Sequence, residues 1–202
     1  ADRVLDLELR DPRSIAISPD GKYLAVGYFS PLSRGRALVQ VFDAGTGQSI
    51  NRLVFDDVFE GNLAALAWSA DGTTLAAAGR ATQPNSRRFL FKRIAWPAGS
   101  VRTDVVASDT INDIAPLGTA DFVIATSEPA WAVVPAGSAP VSLVAQLPDL
   151  RGASSLRVGT SGLMVGVGGA PSAALPGMDG RRPSVQRLFD LTSRALTVGG
   201  AD

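Results

Sequence analysis

The chain has no cysteine and no histidine among its 202 residues. Without cysteine there is no disulfide, no thiol nucleophile and no thiolate-held metal. Without histidine there is no Ser–His or Cys–His catalytic pair, no imidazole base near neutral pH and no His-ligated zinc. Any chemistry would have to come from carboxylates, Tyr, Lys, Arg or Ser/Thr. Lysine is confined to Lys22 and Lys92, and glutamate to Glu8, Glu60 and Glu128. With so few of these helix formers and much Ala, Gly and Val, the composition favours short strands and turns. No apolar run reaches the about 18 residues of a membrane-spanning helix, and no signal peptide is visible. Nineteen basic residues balance nineteen acidic ones, which removes the strong net field expected of a nucleic-acid binder. The chain opens on Ala1, as a processed product or a piece of something longer would.

What is present is a repeat. SPDGKYLAVG (18–27) returns as SADGTTLAAAG (69–79), fifty-one residues later. Recurrence at such a period signals a stacked or radial array. In the first unit Ser14–Ile17 reads as a short strand. SPDG is a tight turn in which Asp20 can bond its own backbone and Gly21 can take positive φ. Tyr23–Gly27 then returns, Ala37–Asp43 alternates as a third strand, and Gln48–Phe55 is the fourth after the turn AGTG. The second unit follows the same order: Leu63–Trp68, a turn with Asp71 and Gly72, Thr74–Ala78, Phe89–Ala95, and Val101–Ala107. The third (Ile111–Pro116, Phe122–Ala125, Trp131–Val134, Val141–Gln146) and fourth (Ser155–Val158, Leu163–Gly168, Val185–Asp190, Arg194–Val198) are degraded but legible. From Phe42-Asp43 to Phe189-Asp190 is 147 residues, three periods averaging 49.

Four short strands per unit, set side by side, is the pattern of a β-propeller blade. SPDGKYLAVG followed by VQVFDAGTGQSI (39–50) resembles the WD-repeat β-propeller family over essentially the whole chain. In that family a turn of this type joins the first two strands, and a Trp-Asp or Phe-Asp pair ends the third. The resemblance implies an all-β propeller of four-stranded antiparallel blades at about 10–56, 61–108, 110–148 and 152–199. The chain departs from the family in having no Gly-His dipeptide, so the family's His–Asp hydrogen-bond network is absent. Asp43 and Asp190 are then expected to order the turn after strand three. TolB-like and lactonase-like propellers share the SPDG signature and remain alternatives.

A ring of this family usually closes with about seven blades, although four-bladed rings exist and closure on four is the alternative; four fit here. The stretch 4–9 (VLDLEL) reads as an orphan outer strand. The expectation is therefore an open arc, roughly half of a larger ring, with apolar faces and strand edges left bare.

The repeat is longer than the family's about 40–45 residues because of the loops between strands two and three: YFSPLSRGR (28–36), GRATQPNSRR (79–88) and GGAPSAALPGMDGRRPS (168–184). All occupy the same slot, so all should project from one face. They carry Arg34 and Arg36, Arg80, Arg87 and Arg88, and Arg181 and Arg182; unit three has Glu128 there instead. Arginine suits bidentate contacts to carboxylate or phosphate, so these side chains form a candidate rim for an acidic or phosphorylated protein or peptide. The plainer reading is that long loops collect soluble residues.

Other candidates are weaker. Asp20 and Asp71 supply one carboxylate per turn, too few for calcium, and the Trp of a sialidase-type Asp-box is missing. Asp56-Asp57 and Asp109/Asp113 are carboxylate pairs that a glycosidase would need to set across a pocket; solvated loop ends are the simpler reading. Trp68, Trp96 and Trp131 fall at strand positions and read as packing between blades. GVGGAPSAALPG has neither the lysine nor the helix of a phosphate-binding loop. No catalytic, metal or cofactor residue stands out.

The resemblance implies a non-catalytic interaction, scaffold or sensor module within a larger bacterial protein, cytoplasmic or else periplasmic, with no nucleic acid and no membrane span. The alternatives are part of a lactonase-like or hydrolase-associated propeller enzyme, or a periplasmic TolB-like accessory protein.

Overall fold

The computed structural model describes residues 11–29, 37–86, 88–127 and 130–137, together with the later strands, whose backbone alone is described beyond residue 137. Sixteen strands make four antiparallel sheets, each in simple sequential order. The first sheet holds β1 (Pro12–Ile17), β2 (Tyr23–Tyr28), β3 (Ala37–Asp43) and β4 (Ser49–Phe55). The second holds β5 (Phe59–Trp68), β6 (Thr74–Thr82), β7 (Phe89–Ala95) and β8 (Val101–Ala107). The third holds β9 (Ile111–Leu117), β10 (Asp121–Thr126), β11 (Ala130–Val134) and β12 (Ser142–Gln146). The fourth holds β13 (Ala153–Val158), β14 (Leu163–Gly168), β15 (Val185–Asp190) and β16 (Ala195–Val198). The first strand of each sheet packs on the first strand of the next: β1 on β5, β5 on β9, β9 on β13. The sheets are therefore arrayed like spokes, with these strands innermost. The stretch 4–9, read as an orphan strand, lies outside the described residues.

The sequence pattern explains the layering. The middle strands are apolar on both faces because both are covered; all of Ala37–Phe42 is buried. β4 and β8, the outermost strands of the first two sheets, are mainly exposed or half-buried. One interface sets Ala25, Ala37, Val39 and Val41 against Leu66, Leu75, Leu90 and Ile94. The next sets Ala65, Ala67, Ala76 and Ala78 against Ile114, Phe122 and Ile124. The first strands of the second and third sheets thus turn Leu66 and Ile114 toward the preceding sheet, while β5 and β6 of the second turn alanines toward the third. Fully burying a Leu or Ile contributes about 1.5–3 kcal/mol, so these interfaces carry much of the fold's stability.

The first sheet breaks this rule on one side. Ile15 faces Val26 across the ladder as Leu66 faces Ala77 and Ile114 faces Ile124. Leu66 and Ile114 are 9% and 5% exposed, whereas Ile15 is 65% exposed and Ile17 is 64%. Large residues stand where a preceding sheet would cover them.

The turns after β1 and β5 are built alike. Ser18 Oγ donates to Asp20 Oδ1 (2.6 Å), which also accepts from the Lys22 N–H. Ser18 Oγ accepts from the Tyr23 N–H. Ser69, Asp71, Thr73 and Thr74 repeat every contact. Gly21 and Gly72 both sit at φ 71°, the left-handed region that glycine enters without strain.

Most strand ends fall within one or two residues of the sequence reading, but two boundaries in the second sheet differ by four. β5 begins at Phe59, not Leu63, and β6 runs on to Thr82, so Gly79–Thr82 belongs to a strand and not to a loop. The cause is a pair of bulges in β5, between Phe59 and Asn62 and between Asn62 and Ala65, which let the ladder continue to the Phe59–Thr82 pair. Trp96 is not on a strand; it follows β7 in the turn before Pro97. Its ring meets Tyr23 edge-on at 5.0 Å and Trp68 at 5.6 Å, closing the seam between the first two sheets. Trp68 Nε1 donates to the Ala16 carbonyl across that seam, and Trp131 is buried in β11.

Candidate partner-binding face

In an up-and-down meander the β1–β2 and β3–β4 turns share one end, and the β2–β3 loop and the link to the next sheet share the other. The molecule therefore has a turn end and a loop end. Arg80 and Arg88 stand at the loop end. Arg80, on β6, pairs with Glu60 of β5 (Nε to Oε2, 2.7 Å), both side chains open to solvent. Glu60 holds a left-handed backbone (φ 59°), unusual for a non-glycine residue. Arg88 is exposed and its N–H donates to Ser86 Oγ. Arg34, Arg36, Arg87, Arg181 and Arg182 lie outside the described residues. Phe59, 50% exposed, adds an aromatic surface there. Arg13 lies over the Phe29 ring at 5.3 Å and pairs with Asp11. The described part of this end is a mixed surface of paired charges and aromatic rings.

Asp43 orders the turn after β3, where its Oδ1 accepts from the N–H and hydroxyl of Thr46. Asp190 ends β15, paired in the ladders with Leu163 and Ala195; its side chain is outside the described residues. Asp20 and Asp71 are held below the usual carboxylate range, chiefly by the Ser18 and Ser69 hydroxyls and then by the Lys22 and Thr73 N–H groups. Of the carboxylate pairs, Asp57 accepts from Lys92, and Asp109 and Asp113 accept from the Thr110 and Ile114 N–H groups. Among the described residues no three acidic side chains gather as a metal site.

The charged residues that organise the interior are ones the sequence reading did not single out. Lys92, 1% exposed, lies near the Phe55 ring and donates to both oxygens of Asp57 and to Thr103 Oγ1. Desolvation pushes the Asp57 carboxyl up, but the hydrogen bond and charge of Lys92 outweigh it and hold the group below its usual range. Its neighbour Arg93 points to the opposite side of the strand. There it donates to Asp104 and to the carbonyls of Val134 and Pro135 in the third sheet. The signal was available: KR inside FLFKRIA puts two cations, one per face, into an otherwise apolar strand.

No protein-family model and no curated protein matches the chain. Solved structures do. The chain is similar to U3-55K (TM-score 0.71, 16% identity, 97% of this chain and 54% of that one). It is equally similar to the WD40 repeats of RRP9 (0.70, 16%, 97% and 53%). A third match is the hydrazine synthase of Kuenenia stuttgartiensis (0.69, 16%, 95% and 49%). The fold is that of a WD40-like β-propeller. Its four sheets are blades, and the chain spans about half the length of the structures it matches.

Proposed function

We propose that these blades form a non-catalytic interaction module, which holds a partner protein or peptide at the loop end. The observation that carries the reading is the division of labour in the structure. The buried cations Lys92 and Arg93, with their partners Asp57 and Asp104, are spent on joining strands and blades, while the loop end offers Phe59, Arg80 and Arg88 to solvent. A rim of Arg34, Arg36, Arg80, Arg87, Arg88, Arg181 and Arg182 would suit an acidic or phosphorylated segment. Glu60 pairs with Arg80, so Arg88 and the arginines outside the described residues would carry the preference.

The uncovered Ile15 and Ile17 support an arc that continues into at least one more blade, as part of a larger bacterial protein of the cytoplasm. A cleaved signal peptide encoded upstream would move it to the periplasm and favour a TolB-like accessory role. The likeness to hydrazine synthase, an enzyme, keeps a second reading in view, in which the blades belong to a lactonase-like or hydrolase-associated propeller. Stoichiometric calcium in the purified protein would favour that reading.

The test is binding to an array of acidic and phosphorylated peptides. The module should retain a subset, and the variant with Arg34, Arg87, Arg88 and Arg182 all changed to Ser should lose at least tenfold in affinity. Equal binding by the variant would remove the rim.

A further inference from the structure

The second and third blades enclose a cleft of about 220 Å³ at the turn end, opposite the loops. Arg93, Arg102, Thr74 and Ser100 line it, with the small side chains of Ala95 and Ala136. Arg93 and Arg102 are directly opposite each other on β7 and β8. Like charges so placed repel, yet only one carboxylate is shared between them. Asp104 accepts from the Nε of both (2.9 Å each) and from Arg102 Nη2. The remaining contacts are to neutral carbonyls: Arg93 Nη2 to Val134 and Pro135, Arg102 Nη1 to Ala136, and Arg102 Nη2 to Gly137.

The donor inventory is therefore incomplete. A guanidinium has five N–H donors. Arg93, whose side chain is only 7% exposed, spends three, and both Nη1 hydrogens are left without a partner among the described residues. The Thr74 and Ser100 hydroxyls, on the same cleft, also have none. At this open cleft two cations share one carboxylate, and donors with no partner among the described residues remain within reach of one further negative group. Asp121, at the start of β10, spends its Oδ1 on the Ala136 N–H.

We propose that this cleft is an oxyanion site, taking one phosphoryl or carboxylate group against Arg93, Arg102 and the Thr74 and Ser100 hydroxyls. It is separate from the loop-end rim and does not depend on it. The four carbonyls of 134–137 disfavour anything larger than a single group. Because they hold the third blade's turn against both arginines, a bound anion would also stiffen the seam between these two blades.

Titration of the chain with inorganic phosphate, at ionic strength held constant with chloride and followed by amide NMR, tests the site. Saturable shifts are expected at Ser100, Arg102 and Ala136. Because Arg93 substitutions endanger the fold, the decisive variant is Thr74→Val with Ser100→Ala, which leaves the arginine network alone. It should bind phosphate about 5–10-fold more weakly, the loss of one or two hydrogen bonds. Asp121→Asn should tighten binding. A phosphoserine peptide that binds more tightly than free phosphate would identify a partner-borne group; equal affinity would identify the free ion. Shifts that fail to saturate, that chloride reproduces, or that the double variant leaves unchanged would overturn the assignment.

Discussion

Lys92 of β7 donates to both carboxylate oxygens of Asp57, which lies on the link between the first and second blades. An ammonium that is 1% exposed is thereby tied to the one segment that fixes where the second blade begins. The pair is asymmetric, since Asp57 remains open to water on one side.

Removing either partner should have unequal effects. Asp57→Ala strands a buried charge with only Thr103 for a partner, and should cost about 2–3 kcal/mol, at or below the lower end for a broken buried pair. Lys92→Met fills the same space without the charge and should cost less, below about 1.5 kcal/mol. The double variant should resemble Lys92→Met. Urea unfolding of the four proteins checks the cycle; additive losses would contradict it.

The chain should lose stability on acidification below the carboxylate range. Asp20, Asp57 and Asp71 are all held below their ordinary value of 3.8. A depressed folded pKa means that the unfolded chain takes up protons first. Their contribution is therefore complete above the unfolded value and fades as pH falls through the folded values. Urea midpoints should be flat from pH 7 to about 5 and drop below about 4. Asp20→Asn with Asp71→Asn should be less stable at neutral pH and show a shallower drop.

Ile15→Ala should change stability by less than about 0.5 kcal/mol, as an exposed position does. Leu66→Ala, at the equivalent place in the second blade, should cost about 2–4 kcal/mol. In a longer chain that supplies a preceding blade, the Ile15 value should rise toward that of Leu66. If it stayed small there, no sheet covers this face.

Gly79→Ala should be among the most damaging single changes. A Cβ at this position would run into the Asn62 carbonyl of the bulged β5 backbone, and φ there is 156°. A loss of about 2 kcal/mol or more is expected, read as a lowered urea midpoint. Asn62 anchors the seam by bridging to Phe29 of the first blade, so that contact should loosen as well.

The legible parts of the fold were those with local causes. Ser-x-Asp-Gly closes on itself through a hydroxyl, a carboxylate and two backbone N–H groups within five residues, so the turns could be placed without a partner strand. Short apolar runs between them then located the strands. The loop side chains were a harder case. The spacing assigned Arg80 to a loop, but two bulges in β5 extend the ladder and put it opposite Asn62 beside Glu60. A bulge depends on how two backbones fit, and neither strand announces it alone.

From its own residues the chain determined a meander of short strands, four to a unit, with Asp-Gly turns at a near-constant period. Each of those choices is settled by neighbours a few positions apart. Only the tertiary structure decided which cations are buried and what they hold. Lys92 reaches Asp57 across 35 residues and Arg93 reaches Pro135 across 42. Those partners meet only when one sheet lies on or against the next, where low polarity makes an unpaired charge too costly to leave alone.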